Sequence, residues 1–255
     1  MGVIGWQACA AIVDKGDPDR FASAMAAPVA VRERLFPLYA MNVEVSRAPW
    51  VTEEPMIAEM RLQWWRDALA EIAEGGEVRR HEVVTPLAQV LSAEQAVLLD
   101  DLVLARRWDA YHDAFEDESA FRAYIDQTAG HLMWVAAQSL GATGEQAVRD
   151  IAFGAGVAAF LRAVPELEAR GRVPLIDGRS DAVRLLAEGA LAQLRRGKRT
   201  GMARAARPAL WPAWQAEGLL KQVISDPRRV ADGTLGLSEF QKRAGLMRRA
   251  LLGGI

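Results

Sequence analysis

The sequence predicts an all-α fold, and three observations carry that prediction. Alternating runs of Val, Ile, Thr and aromatic residues are nearly absent, whereas Ala, Leu, Glu and Arg recur at helical spacing. Gly (21) and Pro (11) are too few and too scattered for a disordered or collagenous chain, and many fall between the helical runs. At 255 residues, 51% hydrophobic and 25% charged, the chain can bury one sizeable core. No repeat, linker-like tract or second composition regime interrupts it, so one domain over 1–255 is expected.

About ten helices follow in order. A short one near 18–26 leads into a longer one from Pro28, which suits a first turn, to about Ala48, with Pro37 expected to kink it. The next spans roughly 53–74. It opens on Thr52-Glu53-Glu54-Pro55, a capping hydroxyl followed by acids, and stops at Gly75-Gly76. Residues 84–92 and 93–114 form two more, the second starting at Ser92 with Glu94 in its first turn. Ser119 opens a helix to about Leu140, stopped by Gly141, and Thr143 caps one over roughly 144–169, broken or bent near Pro165. After an Arg170–Gly178 loop come helices near 180–195, 203–216, 217–225 and 238–252.

Composition excludes several function classes. The lone Cys9 rules out an intramolecular disulfide and favours a reducing compartment. One Cys with only His81, His112 and His131, far apart, makes a zinc site unexpected. The start, Met1-Gly2-Val3-Ile4-Gly5-Trp6, lacks the features of a secretory signal. The longest apolar run, Ile151 to Leu161, is bounded by Asp150 and Arg162, about half of the ~20 residues a bilayer span needs. A soluble, cytoplasmic protein, at most peripheral to the inner membrane, is the expectation. Nucleic-acid binding is disfavoured by the net charge of −2 and the lack of a reading motif.

The charge is uneven. Residues 1–169 hold 14 Lys/Arg against 26 Asp/Glu, and residues 170–255 hold 17 against 7. Either the C-terminal part faces an anionic surface, or the two parts attract each other across the fold. The densest basic run, Arg195, Arg196, Lys198 and Arg199, precedes Leu210, Trp211 and Trp214. It can touch anionic lipid headgroups or simply form a solvated interhelix loop.

Residues four apart share a helix face, so Asn42, Ser46 and Trp50 form one stripe and Ala159, Ala163 and Leu167 another. Carboxylates on two such stripes, if the stripes face each other, could hold Mg²⁺, which takes hard oxygen ligands. These stripes offer an amide, a hydroxyl, an indole and aliphatic groups instead. Glu166 lies within about 60° of the Ala163 direction, with a salt bridge to Arg162 or Arg170 as its simpler role. Arg47 either grips a phosphate or pairs with Glu44. Trp64-Trp65 with Arg61 and Arg66 either line a pocket or place one indole in the core, the arginines pairing with Glu59 or Asp67. His131 reads as a core histidine, and Asp100-Asp101 as a solvated acidic face.

Five short anchors, in joint order and spacing, carry a family resemblance over about 19–176. They are Asp19-Arg20-Phe21, Arg32-Glu33-x-Leu35-Phe36-x-Leu38-Tyr39-Ala40, Arg61-Leu62-Gln63-Trp64-Trp65-Arg66-Asp67-Ala68-Leu69, Ala129-Gly130-His131-Leu132-Met133, and Leu161-Arg162 followed by Gly171-Arg172-Val173. The sequence resembles the squalene/phytoene synthase family. That resemblance implies an isoprenoid (terpenoid) synthase fold with a central cavity walled by helices near 28–48, 56–73, 121–140 and 145–168. Active members carry magnesium-binding aspartates where this chain has Ser46, Arg47, Trp50, Ala163 and Leu167. The family's tyrosine loop reads Pro174-Leu175-Ile176 here.

Tyr39-Ala40-Met41-Asn42-Val43-Glu44 and Leu161-Arg162-Ala163 are more similar to an aspartate-poor branch, which includes a mitochondrial complex I assembly factor. The branch implies a non-catalytic role in assembling respiratory NADH dehydrogenase, with a complex I subunit or assembly protein as partner and an isoprenoid or lipid as ligand. No catalytic residue, metal or cofactor is then expected. The candidate pocket is Tyr39, Asn42, Ser46, Arg47, Trp65, Arg162, Ala163, Glu166 and Arg172. The alternatives are an active prenyl transferase joining two prenyl diphosphates with Mg²⁺, and a lipid-binding protein without assembly duties.

Overall fold

Cys9 and Val13, four residues apart, are fully buried on one side of helix α1 (Trp6–Gly16), which the sequence analysis does not predict. Its Gly16 lies against Val43, so closely that a Cβ would sit 2.3 Å from the valine methyl. The Cys9 thiol faces the Glu82 carbonyl, and burial pushes its pKa up to about 12. The computed structural model describes residues 2–52, 54–111 and 113–254; Glu53 and His112, named above, lie outside the described residues.

Twelve further helices follow: α2 (Pro18–Met25), α3 (Val29–Arg47), α4 (Pro55–Glu74), α5 (Val84–Ala88), α6 (Ala93–Ala105), α7 (Glu118–Ile125), α8 (His131–Ser139), α9 (Glu145–Ala169), α10 (Ser180–Thr200), α11 (Ala216–Ser225), α12 (Arg228–Ala231) and α13 (Glu239–Leu252). No β-strand occurs among the described residues, and the all-α expectation holds. Caps place several boundaries. Ser92 and Gln95 form a reciprocal capping box at α6, and Gly75, at φ 69°, ends α4. Thr52 accepts from the Glu54 amide but does not cap the next helix: Glu54 precedes α4, which starts at Pro55 with no side-chain cap.

Elsewhere local chemistry corrects the expected limits. Asp117, not Ser119, caps α7, and Gly144, not Thr143, precedes α9. Both Pro37 and Pro165 sit inside continuous helices, so α9 is not broken at its proline. The helix expected over 93–114 ends at Ala105 and tightens into a 3-10 turn, Arg106–Ala110. Residues 204–215 are 3-10 rather than α, since Pro208 and Pro212 remove the backbone donors an α-helix needs there.

The interior is organised around α9, whose buried residues lie on every side, from Val148 and Ile151 to Leu161 and Val164. Helix α10 packs along it through two glycines. A Cβ on Gly154 would lie 2.7 Å from Leu194 Cβ, and one on Gly197 would lie 2.5 Å from the Ala147 carbonyl oxygen. A π-helical segment, Asp126–Gly130, joins α7 to α8 without a break. Together α3, α7–α8 and α9 line a half-open space, with the 3-10 stretch at Ala209 and Pro212 below it. Helix α4, expected as a wall, contributes no residue to that lining and packs instead on α6.

Candidate functional site

That half-open space is a cavity of about 310 Å³, at the lower end of small-molecule sites. Helix α3 presents Tyr39, Asn42 and Ser46 to it, and Trp50 follows from the 3-10 turn Ala48–Trp50. Across the cavity α9 presents Ala155, Gly156, Ala159, Ala163 and Leu167. The two stripes drawn from the sequence therefore do face each other across one cavity. The π segment turns Thr128 and Ala129 inward beside Leu132 and Met133, and Thr128 donates to the Tyr124 carbonyl at 2.6 Å.

One end is polar and buried. Arg106 donates to Asp109 at 3.0 Å and to the Tyr124 hydroxyl at 2.8 Å, and that hydroxyl donates to Asp109 at 3.0 Å. Burial raises the Tyr124 pKa above that of an ordinary phenol. Burial opposes the Arg106 charge, but Tyr124 and Asp109 overcome it and hold its pKa above that of a free guanidinium. Trp108, Phe115, Phe121, Tyr124 and Phe160 form an aromatic cluster behind this end, with Trp108 stacked on Phe115 at 4.2 Å.

Three cavity-side polar groups lack protein partners. The Tyr39 hydroxyl, 1% exposed, and Arg106 Nε are buried without a hydrogen bond. The Asn42 amide has none among the described residues. Burial pushes Tyr39 up to about 12, although the Arg20 guanidinium lies 5.0 Å above its ring. The Tyr39 hydroxyl and Arg106 Nε, sealed from the cavity, cost free energy as they stand, whereas the Asn42 amide is open to whatever enters it.

The remaining predicted site residues lie elsewhere. Arg47 is exposed and stands 3.8 Å from Glu44, since one residue beyond Ser46 rotates it about 100° away from the cavity. Glu166 is 72% exposed and pairs with Arg170 at 2.6 Å. Arg162 reaches outward to Asp19 at 3.0 Å. Trp65 is a core residue, edge-on to Trp64 and His81, while Arg66 pairs with Asp100 at 2.8 Å. His131 is 7% exposed, as a core histidine should be.

Arg172 is buried and committed. It donates to the carbonyls of Trp108, Asp109 and Tyr111, stapling the Arg106–Ala110 turn, and burial lowers its pKa. Its guanidinium and that of Arg170 lie over the Trp50 ring, at 4.8 and 4.6 Å. Trp50 thus separates the inner cavity from an outer cleft of about 620 Å³ lined by Arg170 and Arg172. The basic run is also engaged. Arg196 grips Asp150 at 2.7 Å, and Arg195 and Lys198 both reach Glu217. Sequence reasoning missed Arg20, Arg106, Asp109 and Tyr124; the Arg-x-x-Asp spacing beside Trp108 was the available signal.

Magnesium does not fit this donor set. The cavity lining contains one carboxylate, Asp109, and its oxygens already accept from Arg106 and Tyr124. Among the described residues no group of three or more His, Cys, Asp or Glu converges.

Comparison with known proteins agrees with this architecture. The family model for squalene/phytoene synthase matches residues 13–175. A Drosophila melanogaster protein named NADH dehydrogenase (ubiquinone) complex I, assembly factor 6 homolog is 30% identical over 182 residues, covering 68% of this chain and 54% of the relative. Its Bos taurus counterpart, complex I assembly factor 6, is 25% identical over 180 residues, covering 65% and 51%. The chain spans about half the length of these relatives. A dehydrosqualene synthase crystal structure superimposes with a TM-score of 0.77 at 15% identity, covering 97% of this chain and 96% of that one. Squalene synthase HpnC from Alicyclobacillus acidocaldarius gives 0.61 at 14%, covering 98% and 94%. These two establish the isoprenoid synthase fold. The chain belongs to the squalene/phytoene synthase family.

Proposed function

We propose that the protein is a non-catalytic member of its family that supports assembly of respiratory complex I. One observation carries the non-catalytic half: the α3 and α9 positions facing the cavity are Asn42, Ser46, Ala159, Ala163 and Leu167. Without anionic oxygens there, ionising an allylic diphosphate forfeits several kcal/mol of charge stabilisation that metal would supply. Likeness to the two relatives named as complex I assembly factors supports the other half, together with a partner among complex I subunits or assembly proteins.

The cavity supports an isoprenoid or lipid ligand in the same reading. Leu132, Met133, Ala155 and Phe160 suit an apolar chain, and the unpartnered Asn42 amide suits an oxygen-bearing head. No described helix is long and apolar enough to cross a membrane, and the reading takes any contact with the inner membrane as peripheral. Of Arg195, Arg196, Lys198 and Arg199, only Arg199 lacks an ion pair among the described residues, which makes that run a poor headgroup site.

Deleting the gene and measuring NADH:quinone activity of membranes tests the assembly role, with loss restored by the wild-type gene as the expected result. Unchanged activity counts against it. Incubating purified protein with farnesyl or geranylgeranyl diphosphate and Mg²⁺ should give no condensed product; turnover at an ordinary enzyme rate overturns the non-catalytic reading.

A further inference from the structure

Helix α13 contains no buried residue, yet its orientation is fixed. Ser238 and Gln241 form a capping box at its start, and Arg249 donates to the Trp214 carbonyl at 3.4 Å. Gly245 lies against the Trp214 ring, at 3.4 Å from a would-be Cβ. Beyond its end, Arg207 donates to the Gly253 carbonyl at 2.8 Å and the Trp211 indole to the Gly254 carbonyl at 3.1 Å. Lys242, Gly245, Leu246 and Arg249 therefore form the docked, half-buried side.

The opposite side is apolar. At 100° per residue, Phe240, Ala244, Met247 and Leu251 fall within about 60° of one another. Phe240 is 81% exposed, Met247 64% and Leu251 72%. Arg243 flanks this stripe at about 60° on one side and Arg248 at about 80° on the other. Neither has an ion-pair partner among the described residues, and exposed Arg204 stands beside Gly253 with none either. The single acid of the helix, Glu239, is taken by Lys242 at 2.9 Å.

Charge decides which occupant suits such a ridge. A second copy docked antiparallel on the stripe would bring each flanking arginine toward its own counterpart, Arg243 toward Arg243 and Arg248 toward Arg248, and like charges oppose that pairing. A protein partner would need a groove with acids along both rims. An anionic bilayer supplies both features at once, an apolar interior for the stripe and phosphates at headgroup depth on each side. The excess of 17 Lys/Arg over 7 Asp/Glu in residues 170–255 has the matching sign. We propose that α13 lies in the plane of an anionic membrane surface, with Phe240, Met247 and Leu251 among the acyl chains and Arg243 and Arg248 at the phosphates. This assignment is independent of what the cavity holds.

Sedimentation of the full chain with vesicles tests it. Vesicles containing phosphatidylglycerol should bind the protein, and pure phosphatidylcholine vesicles should bind it at least about tenfold more weakly. The double variant Phe240→Glu/Met247→Glu should lose at least about tenfold in affinity for anionic vesicles. Arg243→Gln/Arg248→Gln should erase the preference for anionic lipid while keeping residual binding. Because these side chains are exposed, the variants should melt with the wild type by circular dichroism. Equal binding by Phe240→Glu/Met247→Glu and wild type overturns the proposal. So does a failure of the wild type to bind vesicles, or a concentration-dependent dimer that Phe240→Glu abolishes.

Discussion

Asp109 and Tyr39 line the same cavity but should respond to substitution to very different degrees. Asp109 accepts from Arg106 and Tyr124, so Asp109→Ala leaves the half-buried Arg106 guanidinium with only the Tyr124 hydroxyl and should cost about 2–4 kcal/mol in denaturant unfolding. The Tyr39 hydroxyl has no partner to lose, so Tyr39→Phe should change stability by less than about 1 kcal/mol. A large loss for Tyr39→Phe would mean that its hydroxyl is engaged in the free protein. Residue by residue, the sequence was legible where helical phase alone decides direction. Asn42, Ser46 and Ala163 reach the cavity because they repeat at four-residue spacing. Arg47 and Arg162, each one position from a cavity residue, point out to Glu44 and Asp19. The Arg106–Asp109–Tyr124 cluster was not legible, because a 3-10 turn stapled by a residue more than sixty positions away places it.

At the level of elements, α9 and α10 meet through Gly154 and Gly197, where added methyls would strike Leu194 and backbone oxygens. Alanine is the better helix former by about 1 kcal/mol, so an exposed glycine would gain from the change. Here the clash should dominate. Gly154→Ala and Gly197→Ala should each destabilise by about 1–3 kcal/mol in thermal melts, and a rise in melting temperature would refute that packing argument. Long elements were readable from apolar periodicity, as in α3, and from glycine stops as well in α4 and α9. Helix α1 escaped notice because its two buried anchors, Cys9 and Val13, lie in an alanine-rich segment with little contrast. The 204–215 stretch carries a helical hydrophobic pattern, but Pro208 and Pro212 forbid α hydrogen bonding, and periodicity does not register that.

Across the whole molecule, the acidic and basic parts are joined by pairs such as Arg196–Asp150, while most of the other cations of that basic run converge on Glu217. The sequence revealed the gradient, but not which cations would be consumed internally and which left on α13. Partial burial pushes Glu217 up, but hydrogen bonds from Lys221 and Arg195 and the Lys198 charge reverse this, holding its pKa at about 2 against an ordinary 4.5. The folded state therefore binds this proton less readily than the unfolded chain. The stability from this cluster is present above pH 4.5 and is lost as pH falls toward about 2. Glu217→Gln should remove on the order of 1–2 kcal/mol at pH 7, allowing for solvent screening, and the gap from wild type should close in that acid window in urea titrations. A gap that persists at pH 2 would contradict the assignment. Cys9, the only thiol in 255 residues, is wholly enclosed between α1 and its neighbours and holds its proton to about pH 12. An alkylating reagent therefore meets no nucleophile until the N-terminal helix peels off, which gives this molecule a built-in clock for its own opening.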